Sequence, residues 1–199
     1  LESGLIERTR LLPRPDYVRD ARLFVIAVEG AEQEPWYFYG LERSGCVPPR
    51  RVRLEVLSDE TRSAPEHVAA RLGAWETEHR LIASDERWLV VDVDRHHNLQ
   101  TTLAEAARIG WRVAVSNPCF EVWLQLHFAD VASGGDSAAC KAAWGALRKD
   151  RPEKWPFDRV AVERACARAE AGATAGGWVP PVGGTTVFRT VRSLLGAAR

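Results

Sequence analysis

The chain has 199 residues, 46% of them hydrophobic and 27% charged, which suits one medium globular domain with a real core. Its 27 basic and 27 acidic residues cancel to a formal net charge of zero. That excludes a generic polyanion-coating protein, so any nucleic-acid contact has to come from local patches. No apolar run reaches the about 18 residues of a membrane span. The amino-terminal segment has no apolar stretch of the secretory kind. Cys46, Cys119, Cys140 and Cys166 form no C-x-x-C pair and match no zinc spacing. Together these features predict reduced cysteines and a cytoplasmic location.

Residues 1–20 are arginine-rich, broken by Pro13 and Pro15, and read as an extended arm. Arg22 to Val28 is a short apolar, β-branched run, the pattern of a buried strand, and Glu29-Gly30 ends it. A helix is expected from Pro35, closed near Gly45. Arg51 to Leu57 alternates apolar and charged residues, as an edge strand with one wet face does. Pro65 opens a helix expected to run to about Ile82, with Val68, Leu72, Trp75 and His79 on one side. Trp88 to Val93 is a second buried strand, Leu99 to Ile109 a helix stopped by Gly110, and Arg112 to Val115 a further strand. Asn117 and Pro118 carry the signature of a cap and first helical position, predicting an apolar helix through Phe128. After the Gly134-Gly135 loop, helices are expected at 136–149 and 158–171, then a Gly/Pro stretch over 176–184 and a helix from Thr185.

Alternating strands and helices predict an α/β fold: a mainly parallel sheet of about four strands flanked by helices. The chain divides into the arm (1–20), a catalytic core (21–130) and a helical C-terminal part (131–199) packed on that core.

In open parallel sheets, ligands sit at the carboxyl ends of strands. That rule selects Glu29 after the first strand, and Asp92 and Asp94 at the end of the third. Residues two apart in a strand share a face, so Asp92 and Asp94 aim at one point. Crowding such charges is costly without a cation between them, and Mg²⁺, hard and oxygen-seeking, suits the set best, with Mn²⁺ as a substitute. Glu29 is a candidate general acid or base. Glu121, in the first turn of a nearly wholly apolar helix, is a further catalytic candidate, with Gln125 one turn on. Glu34 reads as a helix-dipole partner, His96 and His97 as solvated loop residues that can also meet phosphate or metal, His127 as a hydrogen-bonded core residue, and Cys119 as buried.

Three strings carry a family resemblance: Val28-Glu-Gly-Ala-Glu-Gln-Glu-Pro-Trp-Tyr-Phe38, Val91-Asp-Val-Asp-Arg95, and Ser116-Asn-Pro-Cys-Phe-Glu-Val-Trp-Leu124 with His127-Phe128. Gly184-Thr-Thr-Val187 adds a weaker match. In this order they resemble the RloB-like family of Toprim-related proteins over about 22–195. The resemblance implies a Toprim-like core in which Glu29 is the general acid/base and Asp92 and Asp94 hold metal. Glu34, Asn117, Glu121 and His127 match motif positions, while Gln33 stands where the family commonly has Thr. The resemblance further implies bacterial restriction or abortive-infection loci, hence phage defence and an ATPase partner.

Three readings remain open. The first is a Mg²⁺-dependent nuclease acting on RNA such as tRNA, or on DNA, with Arg50, Arg51 and Arg53 as candidate phosphate contacts or simply a solvated edge. The second is a phosphatase of the haloacid dehalogenase type, with Asp92 as nucleophile and Asp94 as acid, although that motif normally opens the domain and continues into Gly-Thr. The third is a non-catalytic Toprim-like module that docks on a partner through Trp36, Trp75, Trp144, Trp155 or Trp178.

Overall fold

The computed structural model describes residues 21–93, 98–132, 135–149, 157–173 and 177–197. The arginine-rich arm therefore lies outside the described residues, as do Asp94, His96, His97, Gly134 and Trp155. Four strands, β1 (Arg22–Val28), β2 (Val52–Leu57), β3 (Glu86–Asp92) and β4 (Arg112–Ser116), form one sheet in the order β2-β1-β3-β4. Every pairing is parallel. Seven helices are found among the described residues: α1 (Gln33–Arg43), α2 (Pro65–Glu78), α3 (Leu99–Arg108), α4 (Glu121–Gln125), α5 (Ser137–Lys149), α6 (Arg159–Ala171) and α7 (Val187–Ala197). This is the α/β, parallel-sheet architecture of a Toprim-like core with a helical C-terminal part.

Strand parity sorts the core into two layers, because successive side chains leave a strand on opposite faces. Phe24, Ile26, Val28, Leu54, Val56, Trp88, Val90 and Ala114 pack beneath α1, α4, α5, α6 and α7. Val25, Ala27, Leu89, Val91, Val113 and Val115 pack against α2 and α3. Asp92 continues the Trp88–Val90 series and so belongs to the first layer's side of the sheet.

Both edges are accounted for. β2 is the outer strand on one side, with Arg53 exposed within it and Arg51 exposed just before it. Beside β4, Thr185 forms an antiparallel bridge with Ser116. Val115 N–H donates to Thr186 Oγ1 (2.8 Å), and Thr186 N–H returns a bond to the Val115 carbonyl (2.8 Å). The Gly184-Thr-Thr-Val187 string is thus a clasp that satisfies an otherwise open strand edge.

Several helix boundaries differ from expectation, and α1 already begins at Gln33, two residues before Pro35. α2 stops at Glu78, not Ile82, because His79 turns extended (φ −122°, ψ 141°). Its ring stacks on Trp75 at 4.0 Å, with Nδ1 2.8 Å from the Trp75 carbonyl, where a helical amide would otherwise sit. α4 spans Glu121–Gln125, shorter than the helix read from Asn117 to Phe128. Asn117 is not its cap. Asn117 N–H donates to the Gly184 carbonyl, its own carbonyl accepts from Gly183 N–H, and its amide donates to the Pro180 carbonyl. α7 begins at Val187 instead of Thr185, because Thr185 is occupied by the β4 bridge and its Oγ1 accepts from Val187 N–H.

Candidate active site at the carboxyl end of the sheet

β1 and β3 are neighbours with Val28 opposite Val90, so the residues that follow each strand emerge side by side. Asp92 N–H donates to Glu29 Oε2 at 3.0 Å, joining the first and third strand ends. One residue on, Gly30 N–H donates to Glu34 Oε1 at 2.9 Å. Gly30 lets that carboxylate close in, since a Cβ there would fall 2.3 Å from Glu34 Oε2. From β4 the chain turns through 117–120 and delivers Glu121 to the same place, with Phe120 N–H donating to the Asp92 carboxylate. The result is a cleft of about 420 Å³ whose walls include Glu29, Gln33, Glu34, Ser63, Asp92, Glu121 and Lys141.

The electrostatics are those of crowded acids. Burial, then the carboxylates of Glu34, Glu29 and Glu121, push the Asp92 pKa well above the usual carboxylate range, and the Phe120 amide only partly offsets this. Burial likewise lifts Glu34 to about 7, against hydrogen bonds from its own and the Gly30 backbone amides that work in the opposite direction. At Lys141 partial burial works against the charge, but Glu121, the Cys119 thiol, Asp92 and Glu34 outweigh it and raise its pKa.

Of the residues picked from sequence, Glu29, Asp92 and Glu121 meet in this cleft. Asp94, His96 and His97 lie outside the described residues. Glu34 is more than a helix-dipole partner: it is 5% exposed and a full member of the cluster. His127 is buried between Tyr37 and Trp123 (ring centroids 5.5 and 5.0 Å), and burial, with Arg168 nearby, pushes its pKa down to about 3, so it is a neutral core residue. Cys119 is buried and hydrogen-bonded to Cys140, which, with burial, raises its thiol pKa; all four cysteines are free and buried. Arg50, Arg51 and Arg53 are exposed at the opposite, amino end of the sheet. Trp36 and Trp178 are partly exposed, Trp75 is half-buried and Trp144 is buried.

Two residues escaped the sequence reading. Arg71, on α2, donates through Nη1 to the carbonyls of Val28 (3.1 Å) and Leu57 (3.3 Å) and through Nη2 to that of Arg62 (2.9 Å). It thereby fastens the ends of β1 and β2 and the loop bearing Ser63. Nothing in an exposed-looking helical arginine signals this. Lys141 lies 20 positions after Glu121 in chain order, and its only sequence signal is rarity, as one of three lysines.

Among the described residues, no group of three or more His, Cys, Asp or Glu side chains stands as a ready-made metal cage. The donor set is nevertheless all oxygen. Its crowded acids are the environment that a divalent cation relieves, and Mg²⁺ commonly uses one or two carboxylates and keeps its waters. The residues present therefore fit Mg²⁺ better than a closed cage of zinc type. No helix among the described residues is long and apolar enough to cross a membrane.

No curated protein and no solved structure matches the chain. The family model described as RloB-like protein matches residues 24–194, from β1 into α7.

Proposed function

As the chain belongs to the RloB-like protein family, we propose that it is a Mg²⁺-dependent nuclease that hydrolyses phosphodiester bonds of RNA such as tRNA, or of DNA. The observation that carries this reading is the convergence of Glu29, Glu34, Asp92 and Glu121 from separate elements into one polar cleft at the carboxyl end of the sheet. Glu29 and Asp92, with Asp94, hold the metal, for which Mn²⁺ can substitute. When bound, that ion polarises a phosphoryl oxygen and lowers the pKa of a water. Glu29, anchored by the Asp92 amide, would serve as the general base. Glu34, with a pKa of about 7, exchanges a proton near neutrality. Glu121 lines the same cleft and adds its charge to the cluster around Asp92. The family resemblance supports a role as a cytoplasmic effector of bacterial anti-phage defence, working with a partner ATPase.

The test is cleavage of mixed tRNA and of plasmid DNA with Mg²⁺ or Mn²⁺, with and without the partner ATPase, comparing wild type with Asp92→Ala and Glu29→Ala. Wild type is expected to cleave, and each variant to lose roughly three orders of magnitude or more in rate. Cleavage by Asp92→Ala at the wild-type rate would overturn the assignment. Covalent phosphate trapped on Asp92 would replace it with phosphatase chemistry.

A further inference from the structure

A polyanion meets a problem at this cleft, because five carboxylates, those of Glu29, Glu32, Glu34, Asp92 and Glu121, repel the backbone that has to enter. Among the described residues lining it, Lys141 is the one basic side chain. It comes from α5, in the C-terminal helical part, and α5 is held in place firmly. Gln125 of α4 donates to the Cys140 carbonyl (3.1 Å) and to Cys140 Sγ (3.2 Å). Trp144 Nε1 reaches Gln33 Oε1 (3.4 Å) at the start of α1. Cys140 and Trp144 are buried while Lys141, between them in sequence, is exposed at the cleft.

Elsewhere among the described residues, exposed or part-exposed cations beside acids close into pairs, as Arg192 does with Glu170 and Arg159 with Glu163. Lys141 does not. Surrounded by acids whose field holds it charged, it makes no hydrogen bond or ion pair with any described residue. An ammonium serving only as a counter-ion would settle on a carboxylate. One kept off them stays available to an arriving anion, and a lysine ammonium binds phosphate as a point charge without demanding a fixed approach.

We propose that Lys141 is a phosphate-binding residue of the cleft, contributed by α5 to engage the nucleic-acid backbone beside the acidic cluster. The proposal rests on the nuclease reading and adds to it a substrate contact from outside the sheet.

The experiment is binding, which does not depend on turnover. Affinities of the full chain for tRNA and for a DNA duplex, with Ca²⁺ in place of Mg²⁺, are measured across a salt series, alongside pyrophosphate. Wild type, Lys141→Ala, Lys141→Gln, Lys141→Arg and the control Lys149→Ala are compared. Lys141→Ala and Lys141→Gln are expected to bind roughly tenfold more weakly. Their slope of log affinity against log salt should be shallower by about 0.7 to 0.9, the loss of one phosphate contact. Lys141→Arg should recover both, and melting temperatures should stay level. A neutral variant with wild-type affinity and slope would overturn the proposal, as would an equal effect of Lys149→Ala. If those variants bind normally while Asp92→Ala abolishes cleavage, only the Lys141 assignment falls. If wild type binds neither nucleic acid nor pyrophosphate, Lys141 and the nuclease reading fall together.

Discussion

Strand β3 begins with Glu86 and ends with Asp92, two carboxylates on the same side of the sheet about 20 Å apart. Glu86 is buried and fully answered. Arg22 and Arg112 pair with it, Trp88 Nε1 donates to it (2.7 Å), and Ser193 Oγ of α7 bonds both its oxygens (2.7 and 2.8 Å). Asp92 has the opposite surroundings: three more carboxylates, one backbone amide from Phe120, and Lys141 in the same cleft, unpaired among the described residues. One acid ties four elements together and the other strains its neighbours. Uncompensated charge is the mark of a place where a ligand has still to supply the missing counter-charge.

Removing each acid in turn is the sharpest way to break this contrast. Glu86→Ala strands two arginines and an indole N–H, and is expected to destabilise the fold by roughly 3 kcal/mol in denaturant unfolding. Asp92→Asn should leave stability at pH 8 unchanged or raised, because it removes repulsion. Equal losses from the two substitutions would sink the comparison.

Proton linkage gives the next largest effect. Glu34 has an ordinary pKa of 4.5 when unfolded and about 7 when folded, so the folded state holds its proton more tightly. Its contribution is fully present below pH 4.5 and is lost as pH rises through 7, to a total of about 3 kcal/mol at most. Urea midpoints at pH 5 and pH 8 should differ in that direction, and Glu34→Gln should flatten the difference. A stability that climbs from pH 5 to 8 in the wild type but not in Glu34→Gln would contradict the sign.

A smaller effect is expected at Arg71. Arg71→Ala frees the carbonyls of Val28, Leu57 and Arg62, and should cost about 1–2 kcal/mol. If Arg71 orders the β1 end, cleavage should lose kcat with KM little changed; a rise in KM alone would place it in substrate contact instead.

How much of this was legible in the chain follows from the range of each interaction. Strand parity and the positions of Glu29 and Asp92 were readable because a parallel strand is a local pattern with a ligand rule attached to its end. Glu34 was underread because a first-turn carboxylate carries the same local signature whether it faces solvent or lies buried against Gly30. Asn117-Pro118 looked like a helix start, but the competing partners are Pro180, Gly183 and Gly184, more than 60 positions away. Lys141 and Arg71 act only through tertiary placement, which periodicity cannot report.

The clasp on β4 has a bearing on timing. Ser116 and Asn117 hold the turn that leads to Glu121, and they are themselves held by residues 180–186. A ribosome needs roughly 3–14 s to add the intervening stretch. Through that interval a nascent chain owns β1, β3 and their acids yet lacks the bonds that seat the β4–α4 turn. The β4–α4 turn that carries Glu121 is therefore seated only once residues 180–186 have been made, long after β1 and β3.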